Sequence, residues 1–180
     1  VPPALAPGII ASNTVGLAVD KGLIPSCPNM AYLVWDAPGG GDIDIFFSFS
    51  PAGGAPGTWS APVPINQDPA GLGRDQWAPS ISLNPNNGII TVTYYDRRRD
   101  PANTGVEVWT SVSKDCGLNW TDCMVTRVGP FPPVSTIMTP TGMYEGAYLC
   151  SDQSLIGPWG ASWSDGRNGI DQDVQFEFAL

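Results

Sequence analysis

The sequence repeats one order of alternating runs three times, and this repeat limits the fold more than any other feature. NTVGLAV, APSISLN and EGAYLCS each lead through a turn into AYLVWD, IITVTYYD and GASWSD, and then into DIDIFFSFS, GVEVWTSVS and DQDVQFEFA. Alternation with a period of two residues indicates β-strands. We therefore predict one all-β domain of about three antiparallel four-stranded units, in residues 12–68, 76–129 and 141–180.

Acidic residues mark the same places in the three units. An aspartate ends each second run and another acid lies at or near the start of each third run: Asp36, Asp96 and Asp165, then Asp44, Glu107 and Asp173. We predict that the members of each set are structurally equivalent. Short fourth runs, APVPIN and CMVTRVG, close the first two units, whereas the third unit stops after its third run.

A unit of this kind has two faces to cover, and it covers them by stacking against its neighbours. Stacked four-stranded meanders are typical of a β-propeller, so we predict a propeller segment of about three blades. A content of 42% hydrophobic and 14% charged residues fits a globular domain, and 21 glycines and 19 prolines argue against long helices. A β-sandwich with similar hairpins is the alternative.

The charge of the chain excludes several classes of partner. Its formal net charge is −9, whereas nucleic-acid binding rests mainly on neutralising phosphates with Lys and Arg. The same charge argues against docking on anionic membranes. No apolar run approaches the roughly 18 residues of a membrane-spanning helix. Because the chain contains no histidine, it cannot form a Ser-His-Asp triad.

The segment SVSKDCGLNW contains the pattern S-x-D-x-G-x-x-W: Ser113, Asp115, Gly117 and Trp120. An aspartate side chain can accept hydrogen bonds from the amides of its own turn, and a glycine can take a positive φ where the chain reverses. The serine lacks a base that could activate it. We therefore predict a structural turn between the third and fourth strands of the second unit.

Cys116 and Cys123 flank this turn, and we predict a disulfide between them, with free buried thiols as the alternative. The other cysteines are Cys27 and Cys150, whose pairing stays open. A disulfide favours an oxidising, extracellular setting. A zinc site is not expected, because the spacing is wrong and histidine ligands are missing.

The pattern from Ser113 to Trp120 resembles the Asp box of bacterial-neuraminidase repeats, which occur in sialidases and sialidase-like propellers. SPAGGAPGTW, from Ser50 to Trp59, is similar to a decayed copy with Ala52 in place of the aspartate. YYDRRRDP and WSDGRNGIDQDVQF also resemble segments of such propellers. The resemblance implies half of a six-bladed propeller, with the box at the blade periphery.

The same resemblance implies what a sialidase site would need. It would need three arginines from separate blades, a tyrosine nucleophile supported by a glutamate, and an aspartic acid/base. Tyr144 and Glu145 are adjacent and would face opposite sides of a strand. The Arg-Ile-Pro signature of true sialidases is missing. We therefore assign no catalytic residue and keep glycoside hydrolysis as the alternative function.

A module that binds glycans or protein is a second hypothesis. Residues expected near the innermost strands or in equivalent loops could contact such a ligand: Trp77, Asp96, Arg97, Tyr144, Asp165 and Arg167. The competing interpretation is that the Asp–Arg pairs hold blade against blade. Asp42 with Asp44, or Asp171 with Asp173, could contact calcium, but two ligands are too few. We therefore assign no metal site and no cofactor.

An extracellular assembly subunit is the third hypothesis, because DVQFEFAL at the end of the third unit leaves a strand edge unpaired. The edge could pair with the segment ALAPGII of the same chain or with a partner chain. We therefore predict self-association or completion by missing blades.

Overall fold

The computed structural model describes residues 4–5, 9–10, 14–127, 129–130, 137–139, 142–144, 149–153, 159–165, 167 and 173–179. In chain order, these residues form the strands β1 (Ala4–Leu5), β2 (Ile9–Ile10), β3 (Val15–Val19), β4 (Ala31–Gly39), β5 (Asp42–Ser50), β6 (Val63–Pro64), β7 (Gln76–Leu83), β8 (Ile90–Asp96), β9 (Glu107–Ser113), β10 (Thr121–Met124), β11 (Ile137–Thr139), β12 (Gly142–Tyr144), β13 (Cys150–Gln153), β14 (Trp159–Asp165) and β15 (Asp173–Ala179). The described part contains no helix, and so none that could span a membrane.

Three sheets follow the order of the chain as antiparallel meanders. The first sheet is β3-β4-β5-β6, the second β7-β8-β9-β10 and the third β13-β14-β15. This is the predicted all-β architecture, with two four-stranded blades and a three-stranded one. The strand β6 has only two residues, Val63–Pro64, because prolines in APVP remove the amides that a longer ladder needs.

The sheets stack face against face, and their apolar side chains form two core clusters. One cluster lies between the first and second sheets and includes Val34, Phe47 and Tyr94, all 0% exposed. Gly16 permits this stacking, because a Cβ there would lie 2.8 Å from Val34 Cγ2 and 2.9 Å from Ile81 Cγ2. The other cluster brings side chains of the second sheet against the third: its largest members are Trp77, Tyr95 and Trp163.

The predicted equivalence of the acidic positions holds in two sheets and is wrong in the first. Asp96 pairs with Glu107 and Asp165 pairs with Asp173, but Asp44 pairs with Ala37. Ala37, not Asp36, is therefore equivalent to Asp96. A shift of one residue moves each side chain to the opposite face of the sheet. Asp36 therefore points toward the neighbouring second sheet.

The predicted disulfide is also wrong, because Cys116 pairs with Cys27 across 89 residues of sequence. Cys27 lies in the loop between β3 and β4, and stacking of the first two sheets brings it to the β9–β10 turn. Cys123 and Cys150 are exposed and free. Cys123 lies on β10, where its register partner is Thr110, so the strand carries it away from the turn.

The N-terminal strands do not complete the third sheet. β1 pairs with β2, and β2 pairs in parallel with β12, which pairs with β11 in a small separate sheet. Tyr144 lies on β12 and precedes the innermost strand of the third sheet. That innermost strand, β13, begins at Cys150; residues 145–148 lie outside the described residues.

Candidate functional site

The loops that follow β8 and β14 place the Asp–Arg pairs at one end of the stacked sheets, which we call the loop end. The largest ion network of the loop end is centred on Arg98. Its Nε donates to Asp96 Oδ2 at 2.7 Å, and its Nη1 donates to Asp122 Oδ2 at 2.6 Å. Its guanidinium also lies 4.1 Å from the ring centroid of Trp109. Arg98 thus joins the ends of β8 and β10.

Arg97 lies between the end of β8 and the turn that the Asp100 amide closes by donating to Arg97 O, and its side chain makes different contacts from that of Arg98. Its Nη1 lies 3.7 Å from Asp75 Oδ2, and its guanidinium carbon lies 4.7 Å from the ring centroid of Trp77. Arg97 and Trp77 are each 1% exposed. A ligand could not reach either side chain without displacing neighbouring residues.

In the third sheet, Arg167 turns back on Asp165. Its Nε lies 3.0 Å from both carboxylate oxygens, and its amide donates to Asp165 Oδ1 at 2.9 Å. The Asp165 side chain is fully buried, whereas 38% of the Arg167 side chain is exposed. Of the predicted ligand residues whose side chains the structure describes, Arg167 is the most accessible.

Asp36 is a buried carboxylate at the seam between the first two sheets. It is 7% exposed, and neither oxygen makes a hydrogen bond of good geometry in the described part. Burial raises its pKa from 3.8 to about 6, although the backbone amides of Thr14 and Ala78 lower it in part. Ala78 has a φ of 54° at the bulge between Trp77 and Ser80, an unusual conformation for a residue with a Cβ.

We expect the chain to become more stable as the pH falls from about 6 to about 4. The folded pKa of Asp36 lies above its unfolded value, so the folded state binds the proton more tightly in this window. The free energy of unfolding should rise by about 2–3 kcal/mol from Asp36 alone. Urea denaturation across this pH range measures it.

The substitution Asp36→Asn should remove that part of the pH dependence. Part of the pH dependence should remain, because Asp96 titrates in the same window. Burial raises the pKa of Asp96 to about 6, although Arg98 opposes this rise. Asp100→Asn is the control, because hydrogen bonds led by the Gly105 amide lower the pKa of Asp100 to about 2, outside the window. An unchanged slope in Asp36→Asn would contradict the assignment.

Other acidic side chains gather beside Arg97 and Arg98; those of Asp44, Asp68 and Asp75 accept hydrogen bonds, whereas Asp42 Oδ1 has no partner among the described residues. Asn66 Nδ2 donates to Asp44 Oδ1 at 2.8 Å and to Asp68 Oδ1 at 2.9 Å. The amide of Ile43 donates to Asp75 Oδ1 at 3.2 Å. Within the described residues, no group of three carboxylates or thiols is arranged to hold a metal ion. The assignment of no metal site and no cofactor stays a prediction; Asp171 lies outside the described residues.

The segment from Ser113 to Trp120 forms a hydrogen-bonded turn at the opposite end of the sheets. The Gly117 amide donates to Ser113 Oγ, and the Asn119 amide donates to Asp115 Oδ1, both at 2.9 Å. Bonds led by the Asn119 side chain lower the pKa of Asp115. Trp120 Nε1 donates to Gly117 O at 3.1 Å, which closes the turn. Membership in the Asp-box repeats stays a prediction.

The segment that resembles a decayed box uses its serine in a similar way. Ser50 Oγ accepts from the amides of Ala52 at 3.3 Å and Gly54 at 3.1 Å. Thr58 Oγ1 lies 2.6 Å from the same oxygen. A serine hydroxyl can therefore order this loop without the aspartate.

Gly117→Ala should destabilise the chain by about 2–3 kcal/mol. Gly117 has a φ of 88°, and an added Cβ would overlap the ring of Phe47 on the first sheet. Gly57→Ala is the matched control, because Gly57 has a φ of 78° and nothing within 4 Å of its Cβ position. Equal losses in thermal or urea unfolding would show that Phe47 does not restrict the turn.

A cavity of about 430 Å³ lies at this same end, where the innermost strands of the three sheets meet. The side chains around its mouth include Asp20, Lys21, Leu23, Leu83 and Asp152. Asp20 is engaged by the amides of Leu23 at 3.0 Å and Asn29 at 3.2 Å. The sequence analysis did not identify this cavity, because its residues converge from separate units.

The structure separates the predicted ligand residues into different surroundings. Trp77, Asp96, Arg97 and Asp165 are buried at the loop end, Arg167 is partly exposed there, and the side chain of Tyr144 lies outside the described part. Ligand contact by these residues stays a prediction. The sequence analysis missed Asp36 as the carboxylate at the seam and Arg98 as the centre of the ion network.

No family model matches the sequence, and no curated protein matches it. Among solved structures, the chain is similar to one titled Hadza microbial sialidase Hz136, with a TM-score of 0.52 and 14% sequence identity. The match covers 93% of this chain and 35% of the sialidase chain. At this identity the likeness concerns the fold alone. The chain therefore has the fold of a sialidase-like β-propeller segment.

Proposed function

We propose that the chain is an extracellular, non-catalytic propeller module for recognition, adhesion or scaffolding, which associates with itself or with further blades. The use of its arginines carries this proposal. Each of the six contacts an acidic side chain or a main-chain carbonyl: Arg74 with Arg98 O, Arg97 with Asp75, Arg98 with Asp96, Arg99 with Glu107, Arg127 with Glu177 and Arg167 with Asp165. Because these partners already hold the arginines, a sugar carboxylate would have to displace them, which favours a structural role for most of the six.

The extracellular setting is supported by the bond between Cys27 and Cys116. Disulfides that join separate parts of a fold are common in secreted proteins and rare in reducing compartments. The net charge of −9 fits glycan or protein ligands better than nucleic acid.

The alternative function is glycoside hydrolysis of the sialidase type, by this chain as part of a larger propeller. The structural likeness to a sialidase favours it. Because the chain spans only 35% of that sialidase chain, further blades would have to supply most of the site. In that case Arg99 and Arg167 are the loop-end arginines that could turn toward a ligand, because 49% and 38% of their side chains are exposed.

A glycan array and a fluorogenic sialoside assay test the proposal together. We expect no sialoside turnover, and binding to a glycan class that weakens in Arg167→Ala. The control is Arg127→Ala, which removes a more exposed arginine whose side chain is 78% exposed. Turnover that is lost in Arg167→Ala or Tyr144→Phe would overturn the non-catalytic proposal. An array without any ligand would favour scaffolding over glycan recognition.

A further inference from the structure

The disulfide between Cys27 and Cys116 joins two sulfur atoms in unequal surroundings. Cys27 is 4% exposed and belongs to the core cluster between the first two sheets. The turn between β7 and β8 covers it, since a Cβ on Gly88 would lie 3.9 Å from Cys27 Sγ and 2.8 Å from Ile24 Cγ2. Cys116 is partly exposed in the turn between β9 and β10. The contrast arises from contacts of the first two sheets with each other, so a reactant in solution reaches Cys116 more easily than Cys27.

The residue before Cys27 assists the departure of its sulfur when the bond breaks. Ser26 Oγ lies 3.6 Å from Cys27 Sγ. Because a disulfide sulfur carries no proton, the Ser26 hydroxyl is the donor in this contact. A hydrogen bond of this kind stabilises the negative charge that a departing sulfur acquires. These surroundings favour attack at Cys116 with Cys27 as the leaving group.

The backbone of Cys116 also favours opening of the bond. Its φ is 63°, a left-handed conformation that is uncommon and costly for a residue with a Cβ. The bond to Cys27 is one of the contacts that hold Cys116 in this conformation. Cleavage removes that contact, so the residue can relax and the bond forms again less readily.

The bond also ties down one wall of the cavity of about 430 Å³. Cys27 belongs to the β3–β4 loop, residues 20–30, and three residues of the same loop line the cavity: Asp20, Lys21 and Leu23. The Asp20 carboxylate accepts hydrogen bonds from the amides of Leu23 and Asn29, which hold the shape of the loop itself. The disulfide is the covalent link from this loop to the second sheet. Cleavage therefore leaves the loop its own hydrogen bonds but removes that link.

We propose that Cys116 is a thiol-exchange site, at which a low-molecular-weight thiol opens the bond and releases the β3–β4 loop from the second sheet. The thiolate attacks Cys116 Sγ, the bond to Cys27 breaks, and its electron pair leaves on Cys27 Sγ, which takes up a proton. The products are a mixed disulfide on Cys116 and a free Cys27 thiol. A second thiolate attacks the sulfur that the first one added, which frees Cys116 as a thiol. In total, two small thiols are oxidised to one disulfide, and the protein bond gains two electrons and two protons.

Peptide mapping after a short incubation with reduced glutathione, without denaturant, tests the site of attack. The chain carries Cys123→Ser and Cys150→Ser, because the two free thiols would exchange as well. The reaction is stopped with acid, which removes the thiolates. We expect glutathione on Cys116 at least about ten times as often as on Cys27, because access decides which sulfur is attacked. Equal labelling, labelling mainly on Cys27, or no labelling until urea unfolds the chain overturns the proposal.

The substitution Ser26→Ala tests the leaving group. It should slow formation of the mixed disulfide about threefold to tenfold, because the departing Cys27 sulfur loses its hydrogen bond. Thermal unfolding should be unchanged, since Ser26 is exposed. Thr121→Ala is the matched control, because it removes an exposed hydroxyl on β10. Exchange as fast in Ser26→Ala as in the control would overturn the assignment of Cys27 as the leaving group.

Hydrogen exchange of the reduced chain tests the release of the loop. The Cys27 amide donates to Ile24 O at 3.1 Å within the loop, and its exchange should become at least about tenfold faster on reduction. The Asn103 amide is the control, because it donates to Asp100 O at 3.0 Å at the loop end and should exchange at the same rate in both forms. Equal protection of the Cys27 amide in the oxidised and reduced chains would overturn the release.

Discussion

Replacing Arg98 with alanine lowers the free energy of unfolding by about 3–5 kcal/mol. The substitution leaves Asp96 and Asp122 without their common counter-charge, and their side chains are only 0% and 6% exposed. It also removes the stacking of the guanidinium on Trp109. Arg98→Lys keeps the charge but loses the paired hydrogen bonds, so its loss should lie between alanine and wild type. Urea denaturation at neutral pH measures both.

The pH dependence of this loss separates the ion network from simple packing. Arg98 lowers the pKa of the buried Asp96 to about 6, so without Arg98 that pKa is higher and the variant takes up the proton before wild type does. The deficit of Arg98→Ala should therefore shrink as the pH falls toward about 6. Arg127→Ala is the control and should cost less than about 1 kcal/mol, because Arg127 pairs with Glu177 on the surface. A deficit that is constant with pH would mean that lost packing, and not lost charge, destabilises the variant.

Reducing the disulfide between Cys27 and Cys116 lowers the free energy of unfolding by about 3–5 kcal/mol. The bond closes a loop across 89 residues of sequence, and its loss returns that conformational freedom to the unfolded chain. The faces of the first two sheets still pack in the reduced chain, so the fold should persist at lower stability. Thermal unfolding with and without reductant measures the effect, and the double substitution of both cysteines by alanine should reproduce it.

Cys123→Ser and Cys150→Ser are matched controls, because both thiols are exposed and free. Each should change stability by no more than about 0.5 kcal/mol. Peptide mapping under non-reducing conditions checks the connectivity directly. A peptide that links Cys116 to Cys123 would contradict the structure and support the pairing that spacing alone predicted.

The three meanders could be predicted from sequence because a period of two and regularly spaced turns are local signals. The offset of Asp36 could not. Both sides of the first sheet are apolar, with Val34 and Phe47 on one side and Trp35 and Phe46 on the other. When both faces of a strand are apolar, the sequence does not show which residues face which neighbouring sheet. A shift of one residue in the strand register therefore leaves the apolar pattern unchanged.

The candidate site was harder to predict, because its contacts cross between units. The sequence placed Arg97 among the accessible residues, yet Arg98, the next residue of the same segment, holds the larger network. Cys27 and Cys116 meet only after two sheets have stacked, and the connectivity of four cysteines does not follow from their spacing. The turn at Ser113 was predictable in form, since each of its bonds spans at most four residues.

The separation between Cys27 and Cys116 also has a consequence during synthesis. At about 5–20 residues per second, a ribosome would deliver Cys116 roughly 4–18 seconds after Cys27. During that interval the Cys27 thiol is present without Cys116, while the first meander, which contains Cys27, can already assemble. Cys123 emerges soon after Cys116 and competes for the same partner. Docking of the first two blades, which brings Cys27 to the turn that contains Cys116, therefore favours this bond over one to Cys123.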